Sequence, residues 1–231
     1  TDFHGYARQI NQRTVQGEFE TALFRRTGEV EIAVAGRTDA GVHAAGQVIS
    51  FVVDEPLDVA ALQRSLNSQL GPEMAVYAVS EAADLFHARF SATGRRYRYR
   101  IWNAPVHDPL RVRSTWHVPE PLDVRSMDRA VEPLVGTHDF ASFCRTVTGR
   151  TTVRELREAA WRREGDVAEL SIAANAFCHH MVRSIVATSV EVGRGRLDPE
   201  AVLTLLGQRD RTKGHGSAPS RGLTLMSVEY H

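Results

Sequence analysis

Apolar and polar positions along the chain change period several times, and each change marks an element. Val15, Phe19, Ala22 and Leu23 fall on one helical face after the candidate cap Thr14, predicting a helix that ends near Gly28. Val30 to Ala35 and Gln47 to Val53 alternate as strands on either side of Gly36-Arg37-Thr38-Asp39-Ala40-Gly41-Val42-His43. Asp58 is placed to cap a second helix, with Val59, Leu62, Leu66 and Leu70 as its stripe and Gly71-Pro72 as its stop. Met74 to Val79 reads as a short strand.

From Arg96 the alternation is strict. Tyr97, Tyr99 and Ile101 share one strand face, and Arg96, Arg98, Arg100 and Trp102 share the other. Beyond the break at Asn103-Ala104-Pro105, Asp123 to Leu134 predicts a helix. Thr152 to Arg163 and Val167 to Ala173 form a hairpin about Gly165-Asp166. Cys178 to Val192 is helical, and Asp198-Pro199 opens a last helix reaching Gln208. Thr212 to Ser220 reads as a mobile surface loop, and Leu223 to Tyr230 as a closing strand. Helices interleaved with hairpins predict an α+β fold. The break divides it into an N-terminal half, 1–103, and a C-terminal half, 104–231.

Composition narrows the class. The chain has 231 residues, 42% apolar and 24% charged, the balance of an ordinary globular protein. It carries no apolar run of membrane-spanning length. Two cysteines, Cys144 and Cys178, are too few for a disulfide framework, so a reducing, cytoplasmic setting is expected. The formal net charge of +0 argues at first against a nucleic-acid partner. However, of the 28 basic residues only Lys213 is lysine, and arginine is the side chain that grips phosphate bidentately and stacks on bases. Arginines side by side on one strand face repel unless an anion offsets them, and phosphates would do so.

The glycine-bounded loop carries the candidate chemistry. Asp39 there is either a turn-former or a nucleophile, and a guanidinium partner in a dry pocket would keep it ionised and aimed. Arg37 is its near neighbour. Arg183 lies within the apolar Met181-Val182-Arg183-Ser184-Ile185-Val186, where it must either reach solvent or meet an anion. The histidines show no metal-ligand spacing: His179 and His180 are adjacent and point about 100° apart on a helix. No metal site is expected, and no phosphate loop or dinucleotide fingerprint is present.

Four stretches together resemble the tRNA pseudouridine synthase A family. They are Gly36 to Ala44, Phe86 to Ala92 with Arg95 to Tyr99, Asn175 to Arg183, and Gly222 to Leu225. The resemblance runs in unbroken order along essentially the whole chain. It implies a pseudouridine-synthase fold, with two ferredoxin-like or RRM-like halves sharing a mixed, mainly antiparallel sheet and the active-site cleft between them. It implies an isomerase acting on uridines 38, 39 and 40 of the tRNA anticodon stem-loop, without cofactor, as a homodimer. Carried onto this sequence, Asp39 is the nucleophile, Tyr97 stacks on the uracil, Arg183 pairs with Asp39, Arg37 helps extrude the nucleotide and Leu223 lines the base pocket. Arg96 and Arg98 are the further substrate contacts expected from the arginine face. Asn175, His179 and His180 are expected to serve packing. The family usually has a strand leading into Tyr-Asp-Gly-Thr where this sequence starts at Thr1, and the Cys144 to Thr152 connection reads as short.

Overall fold

The computed structural model describes residues 2–145, 149 and 151–231. In chain order the elements are α1 (Val15–Thr27), β1 (Ala33–Val34), β2 (His43–Ala44), β3 (Ile49–Ser50), α2 (Val59–Leu70), β4 (Gly94–Trp102), β5 (Trp116–His117), α3 (Val124–Val131), β6 (Gly136–Asp139), β7 (Val153–Glu164), β8 (Val167–Ala174), α4 (Met181–Gly193), α5 (Glu200–Gln208) and β9 (Leu223–Glu229). Among the described residues no helix is long and apolar enough to cross a membrane. The short Cys144 to Thr152 connection falls largely outside the described residues.

The chain forms two compact units. The first comprises residues 1–41 and 47–92 with His231, and the second comprises 42–46 and 93–230. β4 is a central strand of the second unit, hydrogen-bonded to β8 on one side and β9 on the other.

In the first unit α1 and α2 pack together through Ala22, Leu23, Leu62, Leu66 and Leu70. Both helices are capped as their sequences dictate. The Thr14 side chain accepts from the Gly17 amide, and Asp58 accepts from the Ala60 and Ala61 amides. β1 and β3 pair antiparallel, Ala33 opposite Ser50 and Val34 opposite Ile49. The strand expected at Met74–Val79 does not form. Side-chain amides of α2 satisfy that backbone instead: Asn67 accepts from the Val76 amide at 2.7 Å and donates to the Val76 carbonyl at 2.9 Å, and Gln63 donates to Tyr77 at 2.7 Å.

The second unit is built on a seven-stranded sheet of order β2-β9-β4-β8-β7-β6, with β5 beside the end of β4. The β2–β9 and β4–β5 pairs are parallel and the others antiparallel, so the sheet is mixed and mainly antiparallel, and the α+β class holds. Its core joins Tyr99 and Ile101 of β4, Leu170 and Ile172 of β8, Met127 and Val131 of α3, and Ile185, Val186 and Val190 of α4. The strict alternation read from Arg96 onward is realised: Tyr99 and Ile101 are fully buried, while the arginines between them are half-buried. Cys144 and Cys178 meet as a disulfide with Cα atoms 5.7 Å apart. Two cysteines are few for a framework, yet the fold returns the chain after 34 residues and pairs them.

Candidate active site

Asp39 sits half-buried in the first unit, on a loop held by backbone contacts at several points. The Ala35 amide donates to Val48 at 2.9 Å and the Gln47 side chain donates to the Gly36 carbonyl at 2.7 Å, so the two sides of the loop are fastened where β1 leaves and β3 begins. The Tyr6 amide donates to the Thr38 carbonyl at 3.0 Å. Gly5, at φ 90°, brings its backbone so close that a Cβ there would stand 3.1 Å from the Thr38 oxygen and 3.2 Å from the Ala40 nitrogen. Of the two glycines bracketing the loop only Gly41 adopts the left-handed conformation, at φ 80°. Arg37 is exposed on the same loop.

The second unit carries Tyr97, Arg183, Leu223, Arg96 and Arg98. Tyr97 lies on β4 opposite Ile172 of β8 and Leu225 of β9. The β9 register shifts between Arg96 and Tyr97, a bulge that re-aims the next side chain. Unlike Tyr99 two residues on, Tyr97 keeps part of its ring accessible. That ring stands edge-on to Phe177, with centroids 5.2 Å apart and planes at 89°.

Arg183 is the third residue of α4 and is half-buried. Its Nε donates to the Ala218 carbonyl at 2.7 Å, and the Ala218 amide donates back to the Arg183 carbonyl at 2.9 Å. Ala218 is itself buried, so the stretch from Thr212 to Ser220 is anchored here despite its polar composition. Tyr99 lies beneath, with its hydroxyl donating to Pro219 at 2.8 Å. Burial pushes that phenol well above its usual range, against the opposing charges of Arg183 and Arg221. Leu223, at 7% exposure, packs in the main core opposite Tyr99.

The arginine face of β4 finds its anions within the chain. Arg96 pairs with Glu158 of β7, Arg100 with Glu169 of β8 at 2.8 Å, and Arg98 with the same Glu169 at 3.6 Å. These pairs offset the mutual repulsion of the arginines along the strand. The opposing glutamates were readable in the sequence, but the register that sets them across from the arginines was not.

The sequence treated the segment before α4 as packing, and for Asn175 this fits. Its side-chain oxygen accepts from the Glu155 amide at 3.1 Å and its own amide donates to the Glu155 carbonyl at 3.0 Å, closing the β7–β8 ladder. His180 is different: it is the N-cap of α4 in a left-handed conformation, φ 68°, with no side-chain cap bond. Its ring lies against that of His179, with centroids 4.1 Å apart and planes tilted by 56°, and its Nδ1 is 3.5 Å from Arg211 Nη2. Sequence reasoning missed Arg211, because an arginine between Arg209 and Lys213 in a polar stretch offers no distinguishing signal.

A family profile described as tRNA pseudouridine synthase matches residues 1–91 and 130–231. Curated relatives named tRNA pseudouridine synthase A extend the likeness along the whole chain. The protein of Leifsonia xyli subsp. xyli is 46% identical over 254 residues, covering 100% of this chain and 88% of the relative. That of Frankia casuarinae is 45% identical, covering 100% and 85%. That of Geobacillus kaustophilus is 43% identical, covering 100% and 90%. With matches of this extent, the chain belongs to the tRNA pseudouridine synthase family, isomerases that convert uridine to pseudouridine.

Proposed function

We propose that this chain isomerises uridines at positions 38, 39 and 40 of the tRNA anticodon stem-loop, with Asp39 as the nucleophile. The observation that carries the reading is Tyr97. It is an aromatic side chain aimed by a bulge, braced edge-on by Phe177, and left half-accessible beside two fully buried neighbours of the same strand face. Such a ring offers a stacking surface for a base that has left its helix.

In this reading the target uridine leaves the stack at a cost of a few kcal/mol, least where pairing is already weak. Stacking on Tyr97 returns about 1–3 kcal/mol. Arg37, exposed on the nucleophile loop, occupies the vacated place. Arg183 supplies a guanidinium partner for the carboxylate, and Leu223 bounds the base. The carboxylate adds to ribose C1′ or to uracil C6, and the N1–C1′ bond breaks. The uracil turns, C5 bonds to C1′, the C5 proton leaves, and the carboxylate is released. Tyr97 assists that proton transfer, since a phenol near the usual pKa of about 10 acts only with help from its surroundings. The partners in this reading are tRNA and a second copy of the chain.

The test uses tRNA tritiated at uracil C5, incubated with the wild type and with Asp39→Asn. Tritium release by the wild type alone, with the variant still folded and still binding tRNA, is the expected result. Full release by Asp39→Asn removes Asp39 from the nucleophile role, and RNA binding without release by either protein points to a silent RNA-binding protein.

A further inference from the structure

Three arginines from three separate elements of the second unit stand at the turn that opens α4. Arg183 is the helix's third residue. Arg145 follows the 3-10 turn Ala141–Phe143, and its amide donates to the His179 carbonyl at 2.9 Å. Arg211 opens the 3-10 turn Arg211–Lys213, with Nη2 3.5 Å from His180 Nδ1.

These positions are fixed by the fold. The Ser142 hydroxyl accepts from the Asp210 amide at 3.0 Å and donates to the Leu205 carbonyl at 2.6 Å, tying the turn that carries Arg211 to the turn that precedes Arg145. The Asp210 side chain caps the Arg211 turn through the Thr212 amide at 2.9 Å.

Arg211 is the least satisfied member. Its Nη1 is buried and has no hydrogen-bond partner among the described residues. A buried donor on a charged group that lacks an acceptor is costly, and an anion reaching Arg211 Nη1 would remove that cost. Burial, with the charges of Arg145 and Arg183 adding to it, holds the Arg211 pKa below the usual guanidinium range, and an anion would relieve that. The helix start adds to the field, because α4 has no side-chain cap at its N-terminus.

We infer that Arg145 and Arg211, beside the His180 turn, bind one backbone phosphate of the substrate RNA. This rests on the reading of the chain as a tRNA-modifying enzyme. A phosphodiester presents two unesterified oxygens, which suit a guanidinium fork better than a single carbonyl does. The role differs from that of Arg96 and Arg100 on β4, whose charges are answered by Glu158 and Glu169.

The experiment measures binding of a tRNA anticodon stem-loop oligonucleotide to the wild type, Arg211→Gln, Arg145→Gln and Arg211→Lys over a range of salt concentrations. One lost phosphate contact flattens the slope of log Kd against log salt by about 0.7–0.9. That flattening is expected for each glutamine variant, and Arg211→Lys should keep the wild-type slope. A set of oligonucleotides, each with one neutral methylphosphonate linkage, then locates the phosphate. One linkage should weaken binding to the wild type yet leave Arg211→Gln unaffected. Thermal melting checks that each variant is folded.

An unchanged slope in Arg211→Gln, or linkage effects identical in wild type and variant, overturns the inference. C5 tritium release by the wild type is read separately on the same RNA. Coupling without tritium release would uphold the phosphate site and sink the isomerase reading, whereas release without coupling would do the reverse.

Discussion

Arg183 and Ala218 are joined twice, the arginine Nε donating to the alanine carbonyl at 2.7 Å and the alanine amide donating to the arginine carbonyl at 2.9 Å. The clasp fixes the guanidinium near its base. Lysine carries the charge but has no nitrogen at that branch. Arg183→Lys should therefore lose about 1–2 kcal/mol of stability in denaturant unfolding, the scale of a hydrogen bond from a charged donor. Tritium release should fall at least tenfold with the protein still folded. A fall no larger than the unfolded fraction explains would make Arg183 a purely structural residue.

Gly5 presses its backbone against Thr38 and Ala40, which flank Asp39. In Gly5→Ala the added Cβ meets the Thr38 oxygen at 3.1 Å in a backbone conformation that L-residues disfavour. The loss of stability should be about 1–2 kcal/mol. Because the strain falls on the loop that carries the proposed nucleophile, kcat should drop while KM stays within a few-fold. Equal drops in both would argue against a positioning role.

Gly222 lies directly under the buried ring of Tyr99. A Cβ at Gly222 would stand 2.6 Å from Tyr99 Cζ and 2.8 Å from the Arg100 carbonyl oxygen. The ring is held by the hydroxyl bond to Pro219 and cannot swing aside. Gly222→Ala should destabilise by about 1–3 kcal/mol, the range for overpacked cores, as seen by thermal unfolding. Gly222→Ala with Tyr99→Phe should recover little, since the ring itself remains.

The Arg96–Glu158 pair carries a pH dependence. The Arg96 hydrogen bond holds the Glu158 carboxyl below its usual value of 4.5, outweighing the burial that raises it. A folded-state pKa below the unfolded one means that the pair stabilises the protein fully above the unfolded value. The contribution then fades as pH falls from about 4.5 through the lower folded-state value. Both groups are well over a third exposed, so the effect should be a fraction of a kcal/mol. Glu158→Gln should flatten that part of the acid-unfolding profile, and an unchanged profile would mean that solvent screens the pair completely.

The Cys144–Cys178 bond closes a 34-residue separation that contains the β7–β8 hairpin. Constraining a loop of this length stabilises by about 2–4 kcal/mol through the unfolded chain. Reduction should lower the unfolding free energy from denaturant titration by that amount, and Cys144→Ser with Cys178→Ser should remove the difference between oxidised and reduced samples. Two reactive thiols in the unreduced, folded protein would show the bond to be absent.

Local signals in the sequence were sufficient for elements whose structure is set locally. Thr14 and Asp58 cap the helices they precede, Gly165-Asp166 turns the hairpin, and the period-2 run from Arg96 buries Tyr99 and Ile101 while keeping its arginines partly wet. The motif spacing also carried the family, because the residues that mark it lie in short contiguous runs. What the sequence could not supply were relations fixed by pairing between distant segments. Met74–Val79 has a strand's pattern, but it lies within reach of the α2 amides, and their hydrogen bonds replaced a sheet partner. The alternation of the β4 arginines was legible, but which carboxylates stand across from Arg96 and Arg100 was set by the register of β7 and β8. The two cysteines met because the fold brings the end of one turn back beside the start of α4. In the same way Ala218, from a stretch whose composition alone suggested a loose loop, acquired its bond to Arg183, and Arg211 just before that stretch came to the His180 turn. Periodicity and capping act within a few residues and are written in the chain, whereas long-range register depends on the whole set of packed segments and is decided only when they come together.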